Sequence, residues 1–511
     1  MKTINKLFLG LCTCVLLVVA GCSKEDPIVA ETTPVITGLD ADYYLLVHDE
    51  LTLAPIVENR IDSVVWTLDG QRVANTAEYT FAAPNDPGVF RLVFKAYNFG
   101  NIAQKAVTIT TGRFTNLSTK PNTILSLAAS DKLKGKAVTW EVLNAPSTLY
   151  RLVQPDAQSG LFITLDKGTY QLRAVSGTIA DTVIVSVQQP GLERQSPYIS
   201  KVFDYLPAPG QFVNVHPSYE EGDTQEDINK KVGERIIGEK NELITLGGWG
   251  GYVTFGFDHT IVNIPGRRDF RILGNAFGAN ANPRPNAPWG GSSEPGIIMV
   301  AYDKNGNGIP DDEWYEIRGS ANFSAQNEAW YEIALDNGND INTFRDYEMT
   351  YNRPETEEHD AELSGEQMHI TIKEYIQWSN NQGKEGYKVK NKFHNQTYYP
   401  AWVPEDQLTY KGVRLAQNAI DESGQGSYYV LYAFQYGYAD NFPNRHDNAG
   451  IDIDWAIDKE GNKVDLPGID FVKVYNGVDQ ENGHLGENST EITGGENLHL
   501  LEINIATIIE K

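Results

Sequence analysis

The sequence predicts a mainly β protein: two small N-terminal β-sandwiches, then a large jelly-roll-like β-sandwich domain with long loops and at least one helix. Three observations predict it. Short runs of alternating apolar and polar residues, punctuated by Pro/Gly turns, fill residues 36–189, and the layout is written twice. Beyond residue 190 the composition changes, with seven of the nine tryptophans (Trp249, Trp289, Trp314, Trp330, Trp378, Trp402, Trp455) and most Gly- and Asn-rich loops. There, one segment carries clear helical periodicity: Thr224 as N-cap, acids in the first turn, and Ile228, Val232 and Ile236 on one face. A propeller is the rival architecture, but no internal repeat of about 40 to 50 residues is visible.

Residues 1–21 read as a lipoprotein signal peptide. Lys2 and Lys6 precede an apolar run from Leu7 to Ala20, and Val19-Ala20-Gly21-Cys22 has the lipobox pattern. The run is shorter than the roughly 20 residues needed to span a bilayer and ends at a small-residue cleavage site. Cys22 is thus the expected lipidated N-terminus of the mature chain. The following Ser23-Lys24-Glu25-Asp26 resembles the signal by which Bacteroidetes display lipoproteins on the outer face of the outer membrane. Residues 22–35, rich in charge, Pro and Thr, read as a tether. Because all three cysteines (Cys12, Cys14, Cys22) lie in or at the edge of this leader, disulfides, thiolate zinc sites and cysteine nucleophiles are excluded from the mature chain. With 42 basic against 68 acidic residues and a net charge of −26, the chain is expected to bind no nucleic acid and to meet the membrane through its lipid anchor only. The surplus of carboxylates also suits hard cations such as Ca²⁺.

The first sandwich is expected over 36–112, with strands such as Ser63–Leu68, Glu78–Phe81, Phe90–Ala96 and Val107–Thr110. It resembles a PKD/Ig-like module, in which a strand Trp stands ahead of an Asp-Gly turn and a later strand reads F-x-L-x-F-x-A. The second, Ig-like, is expected over 113–189, with Val138–Val142, Leu161–Leu165, Thr169–Ala174 and Thr182–Val187 in the matching places. Trp66 and Trp140, each within an alternating strand, are expected in the cores. Tandem modules of this kind are expected to serve as spacers. Gln188-Gln189-Pro190-Gly191 marks the boundary with the C-terminal ligand-binding β-sandwich domain, 190–511.

The sharpest motif in that domain runs from Asp303 to Trp314. Oxygen side chains at positions 1, 3 and 5 (Asp303, Asn305, Asn307), Gly308 after them, an apolar Ile309 at position 7 offering its carbonyl and Asp311 at position 9 reproduce most of an EF-hand-type calcium loop. Trp314 replaces the bidentate Glu at position 12. In this the loop looks more like those of thrombospondin type 3 repeats and dockerins, where a later carboxylate completes the shell; Asp312, Glu313 or Glu316 are candidates. A structural Ca²⁺ is expected. Asp458-Lys459-Glu460-Gly461-Asn462 reads as a hairpin turn only.

The second signal is the loop from Gly278 to Gly296, long and without apolar periodicity. Trp289, between Pro288 and Gly290, either stands exposed as a stacking surface or folds back over the sandwich edge; Arg284 and Asn286 (with Asn280 and Asn282) are the donors beside it. Two further stretches share an aromatic-plus-amide character: Trp378 to Trp402, and Phe434 to His446 with Tyr438. Aromatic platforms flanked by Asn, Gln and Arg suit sugars or the corrin amides of a cobamide.

On several of these residues a wider likeness appears. Leu246–Gly251, Asp269–Phe277, Ser293–Gly296, Asn305–Gly308, Trp314–Glu316, Gly437–Asn441, Asp454–Ala456 and Gly468–Val474 together resemble the Bacteroidetes "cell surface protein" family with a PKD-like N-terminal region. The resemblance covers 195–511. It implies a lipoprotein that captures a nutrient, a cobamide such as vitamin B12 or a glycan, and works beside a TonB-dependent transporter and its surface lipoproteins. It carries over no ligand residues. Enzyme signatures are missing: there is no HExxH, HxH or G-x-S-x-G, and Gly247–Gly251 lacks the Lys of a phosphate loop. A carboxylate-based glycosidase, which needs only two acids, and a structural or adhesive role stay open.

Overall fold

The computed structural model describes residues 33–112, 114–189, 194–240, 242–279, 286–360 and 369–507. Cys22 and Arg284 therefore lie outside the described residues. The chain is mainly β and divides into two compact units, the second beginning at Phe114.

In the first unit a five-stranded sheet is ordered Asp42–Leu46, Asn101–Gly112, Gly88–Asn98, Ser63–Leu68, Gln71–Ala74. It faces the pair Glu50–Leu53 and Tyr79–Ala82. Alternation places Leu92, Phe94 and Ala96 of one strand in the core, where Phe94 packs 4.6 Å from Trp66. The Trp66 indole N–H is satisfied by the carbonyl of Thr76 at 3.0 Å. Asp69 and Gly70 both take positive φ, the geometry a two-residue hairpin needs to follow strand twist.

The second sandwich repeats the plan. A sheet of Thr115–Thr119, Ile179–Val187, Gly168–Ser176 and Thr139–Asn144 faces one of Leu125–Ala128, Ser159–Thr164 and Tyr150–Val153. In both sandwiches an edge strand pairs in parallel with the last long strand. Trp140 is buried with Phe162, Tyr170 and Leu172. This module also packs against the domain that follows it. Ile163 shares an apolar cluster with Val262 and Ile264 of the following domain, and Arg151 pairs with Asp454 at 2.6 Å. Apolar burial and a part-buried ion pair join the two, and residues from Phe114 onward form one compact unit.

The large domain pairs an antiparallel six-stranded sheet (Lys201–Ala208, Gly248–Val262, Gly468–Asn476, Gly296–Ala301, Tyr315–Ile317, Ala456–Ile457) with a four-stranded one (Glu385–Asn391, Ile370–Asn380, Phe344–Asn352, Gln407–Arg414). Aromatic side chains fill the space between them: Trp249 meets Tyr347 edge-on at 4.7 Å, and Tyr351 and Tyr410 are buried beside them. The expected helix spans Gln225–Ile236, opened by a capping box between Thr224 and Asp227, and buries Ile228, Val232 and Ile236. Three small sheets decorate the sandwich. One, Gly290–Gly291 with Tyr429–Tyr432 and Ala419–Asp421, positions the site described next.

Candidate functional site

Trp289 leads directly into the Gly290–Gly291 strand. Gly290 pairs with Tyr432 and Gly291 with Leu431, while on the other side Gly278 bridges Gly291. Three backbone segments thus run close together, and a Cβ on Gly291 would sit 2.2 Å from the Phe277 carbonyl oxygen; only glycine fits. This packing creates a cavity of about 710 Å³ lined by Phe277, Ala279, Ser292, Glu294, Tyr428, Tyr429, Leu431, Asn482, Leu485 and Glu487. Its rim is unusually apolar for a surface: Phe277 is 60 % exposed, Leu485 50 % and Tyr428 40 %. Trp289, 37 % exposed, flanks the same edge and stacks on Phe442 at 4.9 Å, which stacks in turn on His446 at 4.7 Å. Both alternatives for Trp289 are thereby met in part, with one face covered and an edge open to solvent.

The floor is acidic. Glu294 lies against Asp440 and Glu491, with one carboxylate oxygen of each residue within 4.8 Å of the others. Asp440 is held by the backbone N–H groups of Asn275 (2.8 Å), Ala276 (2.9 Å) and Glu491 (2.9 Å). The Ser489 N–H donates to Glu294 at 3.1 Å, and the Thr245 hydroxyl donates to Glu491 at 3.2 Å. Glu487 accepts from the Gln211 backbone N–H at 2.6 Å and its side chain at 3.2 Å. Burial, then the neighbouring charge of Asp440, pushes the Glu294 carboxyl up to about 8. Burial raises Asp440 to about 7, and burial with the charges of Glu294 and Asp440 raises Glu491 well above the usual carboxylate range. Asn482 is almost fully buried, and its Oδ1 has no hydrogen-bond partner among the described residues.

The other aromatic candidates disperse. Trp378 lines a separate cavity of about 280 Å³ with Asn380, Arg414 and Asp479. Trp402 is a correction: it is buried in the main core, near-parallel to Tyr205, with its indole N–H donating to Gln225 at 3.0 Å. Tyr438 is another, fully enclosed beside Phe434, its hydroxyl accepting from the Ala321 N–H at 2.9 Å and donating to Asn322. Neither ring can meet a ligand. Asn286 is exposed and takes a positive φ of 61°, but no contact ties it to the cavity. Phe277, Glu294 and Asp440 lie within segments the sequence singles out, but no spacing marks them as site residues, and Tyr428, Asn482 and Glu487 carry no signal at all. The available signal was a lone acid in a Gly- and Pro-rich loop, Ser293-Glu294-Pro295-Gly296.

A further cavity of about 780 Å³ borders the two main sheets, near Trp314 and Lys473. Arg345 pairs there with Glu316 and Lys411 with Glu348 at 2.7 Å, and Lys473, over the Tyr252 ring at 3.7 Å, lines it with Asp346 and Asp458.

The loop from Asp303 to Asp312 closes on itself as its spacing predicts. Gly306 and Gly308 take positive φ, and Asp303 accepts the backbone N–H groups of Asn307 (3.0 Å) and Gly308 (2.8 Å). The amides of Asn305 and Asn307 both reach Asp311, at 3.0 and 3.2 Å, and Asp312 accepts the Lys304 N–H at 2.9 Å. Of the three candidates to complete a cation shell, Glu316 is committed to Arg345 and Asn322, and Glu313 accepts from the Tyr315 hydroxyl at 2.8 Å. Asp312 alone remains inside the loop. The oxygen-rich donor set suits a hard cation.

No protein-family model matches the chain, and no curated protein matches it in sequence. Among solved structures it is similar to a chimeric titin Z1Z2 tandem at 15 % identity and TM-score 0.15, over 31 % of this chain and 99 % of that one. It is similar also to titin Ig tandem A164-A165 (14 %, TM-score 0.14, 31 % and 97 %) and to Sidekick-1 immunoglobulin domains 1–5 (18 %, TM-score 0.14, 35 % and 42 %). The β-sandwich architecture of this chain rests on its own strand pairing.

Proposed function

We propose that this protein is a lipid-anchored outer-membrane protein, facing the cell exterior, that captures a nutrient ligand for a TonB-dependent uptake system. The lipobox at Cys22 and the family resemblance support the location and the partner, and the rimmed cavity supports capture. The observation that carries the reading is the gathering of exposed Phe277, Tyr428 and Leu485 around a cavity whose floor is polar: concave, apolar walls with a few fixed polar groups are what small-ligand sites share. The ligand class is a glycan or a cobamide. In this reading Ca²⁺ sits in the Asp303–Asp312 loop as a structural ion, held by Asp303, Asn305, Asn307, the Ile309 carbonyl, Asp311 and Asp312.

The test is thermal-shift screening and calorimetry of the purified chain against cobalamin, cobinamide and host and plant oligosaccharides. One panel member is expected to bind, and Phe277→Ala together with Trp289→Ala is expected to weaken it at least tenfold, with the fold retained by circular dichroism. Binding that ignores both substitutions removes the cavity from the reading. A hydrolase reading draws on one observation, a carboxyl pushed up to about 8 at a cavity wall with a second acid, Glu487, beside it. It requires release of reducing sugar from the same oligosaccharides.

A further inference from the structure

Resting on the capture reading, the inference concerns what the cavity selects. Its described lining contains two carboxylates, Glu294 and Glu487, and no Lys, Arg or His. Asp440 and Glu491 stand directly behind Glu294 and add two more acids. Hydrogen bonds from the Ser489, Asn275, Ala276 and Glu491 N–H groups and from Thr245 hold Glu294, Asp440 and Glu491 in place without cancelling their charge, while Lys388, paired with Glu481, acts on Glu487 from behind. Crowded carboxylates in a part-buried space are relieved either by taking up protons or by an incoming cation. Asn482 lines the cavity and its Oδ1, enclosed within the wall, is filled by no described residue.

The walls discriminate between kinds of cation. Phe277, Tyr428, Tyr429 and Leu485 stand among the lining residues, and such walls reward an organic body and attract positive charge over ring faces. A bare metal ion leaves those walls unused, and the cavity is far larger than an ion requires.

From this geometry we infer that the cavity binds ligands that carry a protonated amine on a body with an apolar face, the ammonium seated among Glu294, Glu487 and Asn482 and the body against Phe277, Tyr428 and Leu485. The chemical class is that of amino sugars and aromatic or aliphatic amines.

Matched pairs test this on the full chain by calorimetry: glucosamine against N-acetylglucosamine, and phenethylamine against 2-phenylethanol, with Ca²⁺ alone as a third arm. In at least one pair the amine is expected to bind at least tenfold more tightly than its neutral partner. Glu294→Gln and Glu487→Gln are expected to erase that preference while leaving the neutral partner's affinity within about twofold. Since a bound ammonium favours the ionised carboxyls, the binding heat near pH 7 is also expected to differ between phosphate and Tris, reporting released protons. Equal binding of amine and neutral partners overturns the inference and leaves capture at the cavity intact. Absence of binding by either amine overturns it as well, as does Ca²⁺ binding that Glu294→Gln abolishes. Failure of capture itself shows differently: then no ligand of any charge responds to Phe277→Ala.

Discussion

In the loop from Asp303 to Asp312 the acids stand at the surface and every described carboxylate finds backbone or amide N–H donors within a ten-residue stretch. At the cavity floor, Glu294, Asp440 and the neighbouring Glu487 and Glu491 come from three separated places in the chain, and Glu294, Asp440 and Glu491 face one another. The first group is organised locally and sits in water, which screens its mutual repulsion. The second is imposed by the packing of strands and loops, and its cost is carried by the rest of the fold. Local organisation of charge serves stability, whereas charge concentrated by tertiary structure is a resource for binding.

The largest effect comes from pressing on the imposed group. A Cβ at Gly274 would lie 2.2 Å from Oδ1 of Asp440, and the carboxylate cannot withdraw because three backbone N–H groups hold it. Gly274→Ala is therefore expected to cost about 3 kcal/mol in urea unfolding, at the upper end for an overpacked interior. The parallel change in the surface loop, Gly306→Ala, meets open space and faces only its positive φ, at a cost of about 1 kcal/mol. Equal costs would mean that the floor is as yielding as the loop.

The same contrast explains what the sequence made legible. Strands such as Gly88–Asn98 announce themselves because alternation decides which side chains enter the core, and the capping box at Thr224 announces the long helix. The short helix Tyr331–Asn337 gave no such sign: it has no side-chain cap and buries only Ala334. The Asp303 loop is written contiguously, so its closure was readable. The cavity is not, because segments near 277, 292, 429 and 485 meet only in the folded chain. Trp402 and Tyr438 were misread for a physical reason, since an aromatic ring amid Asn and Gln has the same text whether its face is covered or open. For Trp289, Pro and Gly on either side left both placements open, and the structure covers one face with Phe442 while leaving the ring 37 % exposed.

Calcium sharpens the comparison from the other side. If the surface loop is a cation site by local design, adding Ca²⁺ at a hundredfold excess over Kd stabilises the chain by about 2.7 kcal/mol, read as a fall in Tm on adding EDTA. Asp303→Ala removes both the ligand and the acceptor for Asn307 and Gly308, so the EDTA response is expected to vanish in that variant. An unchanged Tm in wild type with EDTA rejects the ion, and a response that survives Asp303→Ala places it elsewhere.

The smallest effect isolates the electrostatic cost of the cavity floor. Glu294 holds its proton more tightly folded than unfolded, because burial and the Asp440 charge raise it from 4.5 to about 8. A group raised in this way contributes stability in full below its unfolded value, and that contribution is lost as pH rises toward and through about 8. Glu294→Gln keeps the shape and a carbonyl acceptor for the Ser489 N–H but cannot ionise. The variant is therefore expected to match wild type at pH 4.5 and to exceed it by about 1 kcal/mol or more at pH 8.5 in chemical denaturation, the sign opposite to that of a paired surface acid. A residual pH slope should remain, since Asp440 and Glu491 are raised by the same burial. Parallel stability curves for the two proteins across this range would show that the Glu294 charge is already compensated in the ligand-free chain, and the floor would then hold no reserve of attraction for a cation.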